Sequence, residues 1–148
     1  MRTAVVPVEE IFALRWAVLR TGLPRETAVY PEDAHEGVFH IAAYDAEGAV
    51  RGCVTFFPDP LSGDAAPAYR FRGMGTAPEV RGQGYGVAAL RAGLREAAAR
   101  GAGIVWCNGR IAAAGFYEHA GFTAIGEQFE LAPSGLHYRF VTKDLGRP

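Results

Sequence analysis

The stretch Arg81-Gly82-Gln83-Gly84-Tyr85-Gly86, running directly into an apolar-periodic segment, decides how the chain is read. Alternating glycines let a backbone turn tightly and approach a ligand with no Cβ in the way. The helix predicted to follow starts with N–H groups that lack intrahelical partners, and its dipole places partial positive charge at the same end. A phosphate group fits that environment, and Arg81 adds a full positive charge at its mouth. The stretch therefore reads as a pyrophosphate-binding turn.

Outward from the turn, the second half of the chain alternates. Residues 84–100 form a helix pattern with Val87, Leu90, Leu94, Ala97 and Ala98 on one face and Arg91, Arg95, Glu96 and Arg100 opposite, stopped by Gly101. A short buried strand is expected at 104–107, a short helix at 111–119 ended by Gly121, and a strand pair at 122–131 and 136–142 around Pro133-Ser134-Gly135. Upstream, 69–76 is a strand whose Gly73 and Gly75 suggest a bulge or a close backbone approach. Residues 38–44 and 49–57 make a hairpin about Asp45-Ala46-Glu47-Gly48, and 58–67 is a loop. The N-terminal part offers a strand at 3–8 and a helix at 9–20 with Ile11, Leu14 and Val18 on one face. An irregular segment with a short helical piece follows at 23–36. Hairpins mixed with two helical crossovers predict an α+β fold, a mixed sheet with helices packed on it.

The chain has 148 residues, which suits one domain over 1–148. Its net charge is −1, from 15 basic and 16 acidic residues, and gives no support for a nucleic-acid or membrane surface. No apolar run spans a bilayer and the N-terminus has no signal-peptide pattern, so a cytoplasmic protein is expected. Cys53 and Cys107 sit in apolar strand patterns and read as reduced core thiols. No Cys/His cluster stands at metal spacing, so no metal is expected.

Several classes of protein use a glycine turn on phosphate. A Walker-type loop needs Gly-Lys followed by Ser or Thr, whereas Val87 follows Gly86 here. A dinucleotide turn is matched in short form by Gly84-x-Gly86-x-x-Ala89, but no acidic residue for a ribose stands about twenty residues on. A purely structural glycine turn is the plain alternative. Taken with its upstream strand, Met74-Gly75-Thr76-Ala77-Pro78-Glu79-Val80-Arg81-Gly82-Gln83-Gly84-Tyr85-Gly86 resembles the central motif of the GNAT superfamily of acetyl-CoA-dependent N-acetyltransferases. Ala114-Gly115-Phe116-Tyr117-Glu118-His119-Ala120-Gly121-Phe122 resembles that family's second signature, in the right order and spacing. The close resemblance covers 69–122, and the N-terminal third matches in element order only.

The resemblance implies that acetyl-CoA lies between two splayed central strands of a mixed, mostly antiparallel sheet. Backbone groups of Met74, Gly75 and Thr76 would meet the acetyl and pantetheine parts. Main-chain N–H groups of Arg81, Gly82, Gln83, Gly84, Tyr85 and Gly86 would hold the pyrophosphate, with the Arg81 side chain nearby. Asn108 would reach the pantetheine amides, or is a turn residue before Gly109. Phe116 would pack, against the cofactor. Tyr117 occupies the position of a general acid for the departing thiolate, or is a core aromatic. The implied reaction is direct attack of a primary amine, on a small molecule or peptide, upon the thioester. A catalytically silent acyl-CoA sensor of the same fold is the alternative.

The general base is open among His40, His137, Glu130 and water; His35 and His119 read as surface residues. The acceptor is open as well. Glu32, Asp33 and Glu36 could attract a protonated amine or be a solvated loop face. Arg15 and Arg20 could hold a carboxylate or be the exposed side of the first helix. A homodimer would cover edges of the mixed sheet.

Overall fold

The computed structural model describes residues 1–132 and 135–146. In chain order the elements are β1 (Arg2–Val6), α1 (Val8–Leu19), β2 (Phe39–Tyr44), β3 (Val50–Pro58), β4 (Ala68–Thr76), α2 (Tyr85–Ala99), β5 (Ile104–Arg110), α3 (Ala114–His119), β6 (Thr123–Leu131) and β7 (Gly135–Thr142). Single 3-10 turns at Arg25–Ala28 and Pro31–Ala34 fill the irregular segment after α1. Pro133 and Ser134, expected at the last turn, lie outside the described residues. No helix among the described residues is long and apolar enough to cross a membrane.

The seven strands form one mixed sheet in the order β1-β2-β3-β4-β5-β7-β6. Every neighbouring pair is antiparallel except β4 and β5, which run parallel because α2 carries the chain across. Side chains alternate across a strand, so β2 feeds two cores. Phe39, Ile41 and Ala43 pack with Ala89, Leu90 and Leu94 of α2, together with Tyr117 of α3. Ala42 and Tyr44 face the other way and pack with Ile11 of α1. The sheet is thus covered by α1 on one face and by α2 and α3 on the other, which is the expected α+β architecture.

Local chemistry explains most boundaries. Gly101, at φ 96°, ends α2: its N–H bonds the Ala98 carbonyl and the Ala102 N–H bonds that of Ala97. Strand β1 is shorter than its apolar run because Pro7 caps α1 and Val8 already belongs to the helix. Strand β5 runs three residues past the expected Cys107, through Asn108 and Gly109 to Arg110. There β7 supplies the pairing, with Asn108 opposite Arg139 and Gly109 opposite Tyr138. A Cβ on Gly109 would collide with the rings of Tyr117 and Phe140, so glycine is needed at this position for packing.

Candidate active site

The centre of the sheet opens where β4 and β5 part. Their parallel register covers only Ala68 with Ile104, Tyr69 with Val105 and Arg70 with Trp106. Beyond these pairs β4 follows β3 alone, and β5 follows β7. Between Cys53–Thr55 on β3 and Arg72–Gly75 on β4, three steps on β4 oppose two on β3. That is a bulge of one residue, of the kind that bends a strand. Gly73 takes it at φ 66°, and a Cβ there would lie 2.8 Å from the Tyr30 ring. The bulge expected from Gly73 and Gly75 is therefore what turns β4 away from β5.

The opened edges expose backbone groups that another strand would otherwise pair, so an extended ligand with amide groups can add to them. The side-chain oxygen Oδ1 of half-buried Asn108, on the parted length of β5, is itself buried with no hydrogen-bond partner. An acceptor left open in this way costs free energy unless a donor arrives, and the amide N–H groups of pantetheine are such donors. The residues present therefore fit coenzyme A.

At the far end of β4, Thr76 leads through a Pro78–Val80 turn to the glycine stretch. Gly82 and Gly84 adopt φ of 82° and 90°, with Gly84 as the N-cap of α2. Gly86 comes so near β4 that a Cβ on it would lie 2.9 Å from Thr76 Oγ1. Met74, Gly75, Thr76 and the 81–86 turn therefore form one continuous wall from the strand opening to the helix N-terminus. Arg81 is exposed there.

Tyr117 stands at the root of the opening. Its hydroxyl is set beside the thiol of Cys107, the first β5 residue past the paired segment. Its ring lies 6.3 Å from that of Phe71, the first such residue on β4, and stacks on Phe140 at 4.6 Å. Burial, and then Cys107, push its phenol well above the ordinary 10.0, so it remains a donor at neutral pH. Phe116 meets Tyr117 edge-on at 5.4 Å and is 37% exposed, so it is not a core residue. Burial pushes the Cys107 thiol up to about 12 and that of Cys53 up to about 11, which leaves neither as a nucleophile at neutral pH.

Three sequence expectations are corrected. Arg15 is not on an exposed helix side: it is fully buried. Its guanidinium donates to both Asp33 carboxylate oxygens at 2.7 and 2.9 Å, to the Ala28 carbonyl at 2.9 Å and to Thr55 Oγ1 at 2.7 Å. The supposed acidic cluster is also spoken for, since Asp33 pairs with Arg15 and Glu32 pairs with Arg72 at 2.7 Å. His40 does not face the opening: it is buried, bonds Thr55 Oγ1 at 2.8 Å and has Nε2 4.0 Å from Asp33. Tyr30 joins the same cluster, with Arg15 and Arg72 guanidinium carbons 4.0 and 3.9 Å from its ring centroid. Of the other base candidates, His137 lies on the Asn108–Arg139 face. Exposed Glu130 pairs with Leu136 and so points to the opposite one.

The cluster sets an acid limit on stability. Burial favours neutral His40 and lowers its pKa below 6.5, more than the nearby Asp33 charge raises it. Its contribution is full above 6.5 and is lost as pH falls through the lowered value. For Asp33, burial alone would raise the pKa, but the bonds from Arg15 and the Tyr30 N–H outweigh it and hold the group below 3.8. That contribution persists to more acid pH. Thermal melts from about pH 8 to about pH 5 should show stability falling below about 6.5. The limb should be absent in His40→Asn; an identical limb in the variant would assign it to other groups.

The sequence profile of the acetyltransferase (GNAT) family matches residues 8–122. The chain belongs to that family. Over 139 residues it is 32% identical to the uncharacterized N-acetyltransferase YitI of Bacillus subtilis (strain 168), covering 93% of this chain and 92% of that one. The fold agrees with the structure of an aminoglycoside 6'-N-acetyltransferase complexed with coenzyme A, at a TM-score of 0.76 and 14% identity over 100% of this chain and 99% of that one. It also agrees with an acyl-CoA N-acyltransferase from Pseudomonas aeruginosa, at a TM-score of 0.74 and 16% identity over 95% and 98%. The protein is thus a GNAT acyltransferase, and the opening between β4 and β5 is where the GNAT resemblance requires it.

Proposed function

We propose that this GNAT protein moves an acetyl group from acetyl-CoA to a primary amine of a small molecule or peptide. The observation that carries the reading is the parting of β4 from β5 directly above Tyr117, with the glycine turn at the other end of the same wall. The thioester supplies an activated acetyl group. The attacking amine must be neutral, gives up a proton, and forms a bond to the acyl carbon as the carbon–sulfur bond breaks. Main-chain N–H groups of 74–76 would meet the charge that builds on the acyl oxygen, and a fixed donor there lowers the barrier. The Tyr117 hydroxyl supplies a hydrogen bond, and then a proton, to the departing sulfur. Met74, Gly75, Thr76 and Asn108 hold the extended arm. Arg81, Gly82, Gln83, Gly84, Tyr85 and Gly86 hold the pyrophosphate, and Phe116 packs over the arm beside Tyr117.

Deprotonation falls to water or to His137, which shares the Asn108–Arg139 face, since His40 is sealed in the Arg15 cluster and Glu130 is on the other face. The reading takes 1–148 as one catalytic domain, at work in the cytoplasm with both thiols reduced. Incubating the protein with acetyl-CoA and a mixed amine panel, followed by mass spectrometry, tests it. Products heavier by one acetyl group are expected. Tight acetyl-CoA binding with no acetylated amine would instead make the protein an acyl-CoA sensor.

A further inference from the structure

We infer that the acceptor is a small primary amine carrying a carboxylate, and that Arg139 reads that carboxylate. The inference rests on the acetyl-transfer reading above and specifies its substrate. Paired residues on neighbouring strands share a face. The registers Arg70 with Trp106 and Asn108 with Arg139 therefore place all four side chains on the side of the sheet away from α2, at the root of the opening. The guanidinium carbons of Arg70 and Arg139 lie 5.0 and 4.9 Å from the centroid of the same Trp106 ring. That ring is fixed by its own Nε1–H, which donates to the Asp59 carbonyl at 2.9 Å. Arg70 stands on the strand to one side of Trp106 and Arg139 on the strand to the other, so the ring is flanked by both and supports the Arg139 guanidinium.

Their charges are less well met than those of neighbouring arginines. Arg15 and Arg72 have carboxylate oxygens at 2.7 Å. Arg70 has a single contact to Asp59 at 3.4 Å, and Arg139 has no carboxylate within 4.0 Å among the described residues. The Nε of each is buried without a partner, as is that of Arg15, so the difference lies in the missing carboxylate. A half-buried guanidinium without a carboxylate partner is a site for a planar anion, which its terminal N–H groups can grip through two parallel bonds. Beside Arg139 the irregular register of β6 between Ile125 and Phe129 leaves a cavity of about 240 Å³. Ile125 and Phe129 line it and would take an apolar side group. Glu127 also lines it but forms no ion pair with Arg139. The pairing of Glu32 and Asp33 removes the competing case for a polycationic acceptor.

The test uses the whole protein with saturating acetyl-CoA and a set of apolar α-amino acids, each supplied as the free acid, the carboxamide and the decarboxylated amine. The free acids should show kcat/KM about tenfold to a hundredfold above their carboxamides, the worth of charge-assisted bonds to a carboxylate. Arg139→Gln should raise KM for the acids by a similar factor, leave kcat within a few-fold, and erase the preference over carboxamides. Arg139→Lys should restore part of it, and acetyl-CoA affinity should not change. Exposed Arg91→Gln on α2 is the control. Equal use of acids and amides by the wild type, or preference for the decarboxylated amines, overturns this inference alone. Failure to acetylate any amine overturns the acetyl-transfer reading beneath it. Should Arg139→Gln not fold, the wild-type ratio of acid to amide still decides.

Discussion

Tyr117→Phe should lower kcat by about two to four orders of magnitude, the usual worth of a placed proton donor, while acetyl-CoA affinity stays within about twofold. The separation of these effects follows from where the side chain sits. Its ring is packed against Phe140, Phe71 and Phe122, and phenylalanine preserves all of that packing. The substitution removes only the hydroxyl, whose polar neighbour is the Cys107 thiol. A thiol is a weak hydrogen-bonding group, so folding stability should change little. The raised pKa adds a pH signature: the wild-type rate should show no alkaline fall due to Tyr117 below its ordinary value of 10.0. Steady-state kinetics beside calorimetric binding checks this. A kcat within a few-fold of wild type would return Tyr117 to the role of a core aromatic.

Arg15→Met should destabilise the protein by about 3–5 kcal/mol, the cost of removing one member of a buried ion pair. The guanidinium makes four hydrogen bonds, and Asp33 and Ala28 lose theirs with it. Asp33 is itself mostly buried, so its carboxylate would be left with little water in place of Arg15. For a chain of this length the melting temperature should fall by roughly 10 °C. Adding Asp33→Asn should recover part of the loss, because it removes the stranded charge. The damage should reach the active site as well. Tyr30, against which Arg15 stacks, occupies the space over Gly73 at the bulge that turns β4 away from β5. Weaker acetyl-CoA binding is therefore expected in Arg15→Met. A cost below about 1 kcal/mol, with no rescue by Asp33→Asn, would show that the cluster does not brace the fold.

These residues also show where sequence reading succeeds and where it stops. The glycine turn, helix α2 and the strand carrying Gly73 were legible because each depends on neighbours a few residues away: φ above zero, one apolar face, a stop glycine. Tyr117 and Asn108 became legible as site residues through the family resemblance. Arg15 did carry a local sign, since it stands one helical turn after Ile11 and so within the buried arc. What made a charge tolerable there was Asp33, far along an irregular segment, and no local pattern announces that pairing. The extension of β5 was hidden for a similar reason. Asn108-Gly109 has the chemistry of a turn, and only the pairing with β7 and the ring of Tyr117 over Gly109 make it a strand. Arg70 and Arg139 were missed because they meet only across the sheet, through Trp106. A strand residue's partners are set by register, and register is not a property of either strand alone.

Calorimetric titration of the purified protein with acetyl-CoA, with NADH and ATP run in parallel, tests the central claim most directly. Saturable binding of acetyl-CoA, with neither nucleotide competing, is the predicted result. An absence of heat from protein shown to be folded, or binding of NADH in place of acetyl-CoA, would contradict the assignment of the parted strands and glycine turn to acetyl-CoA.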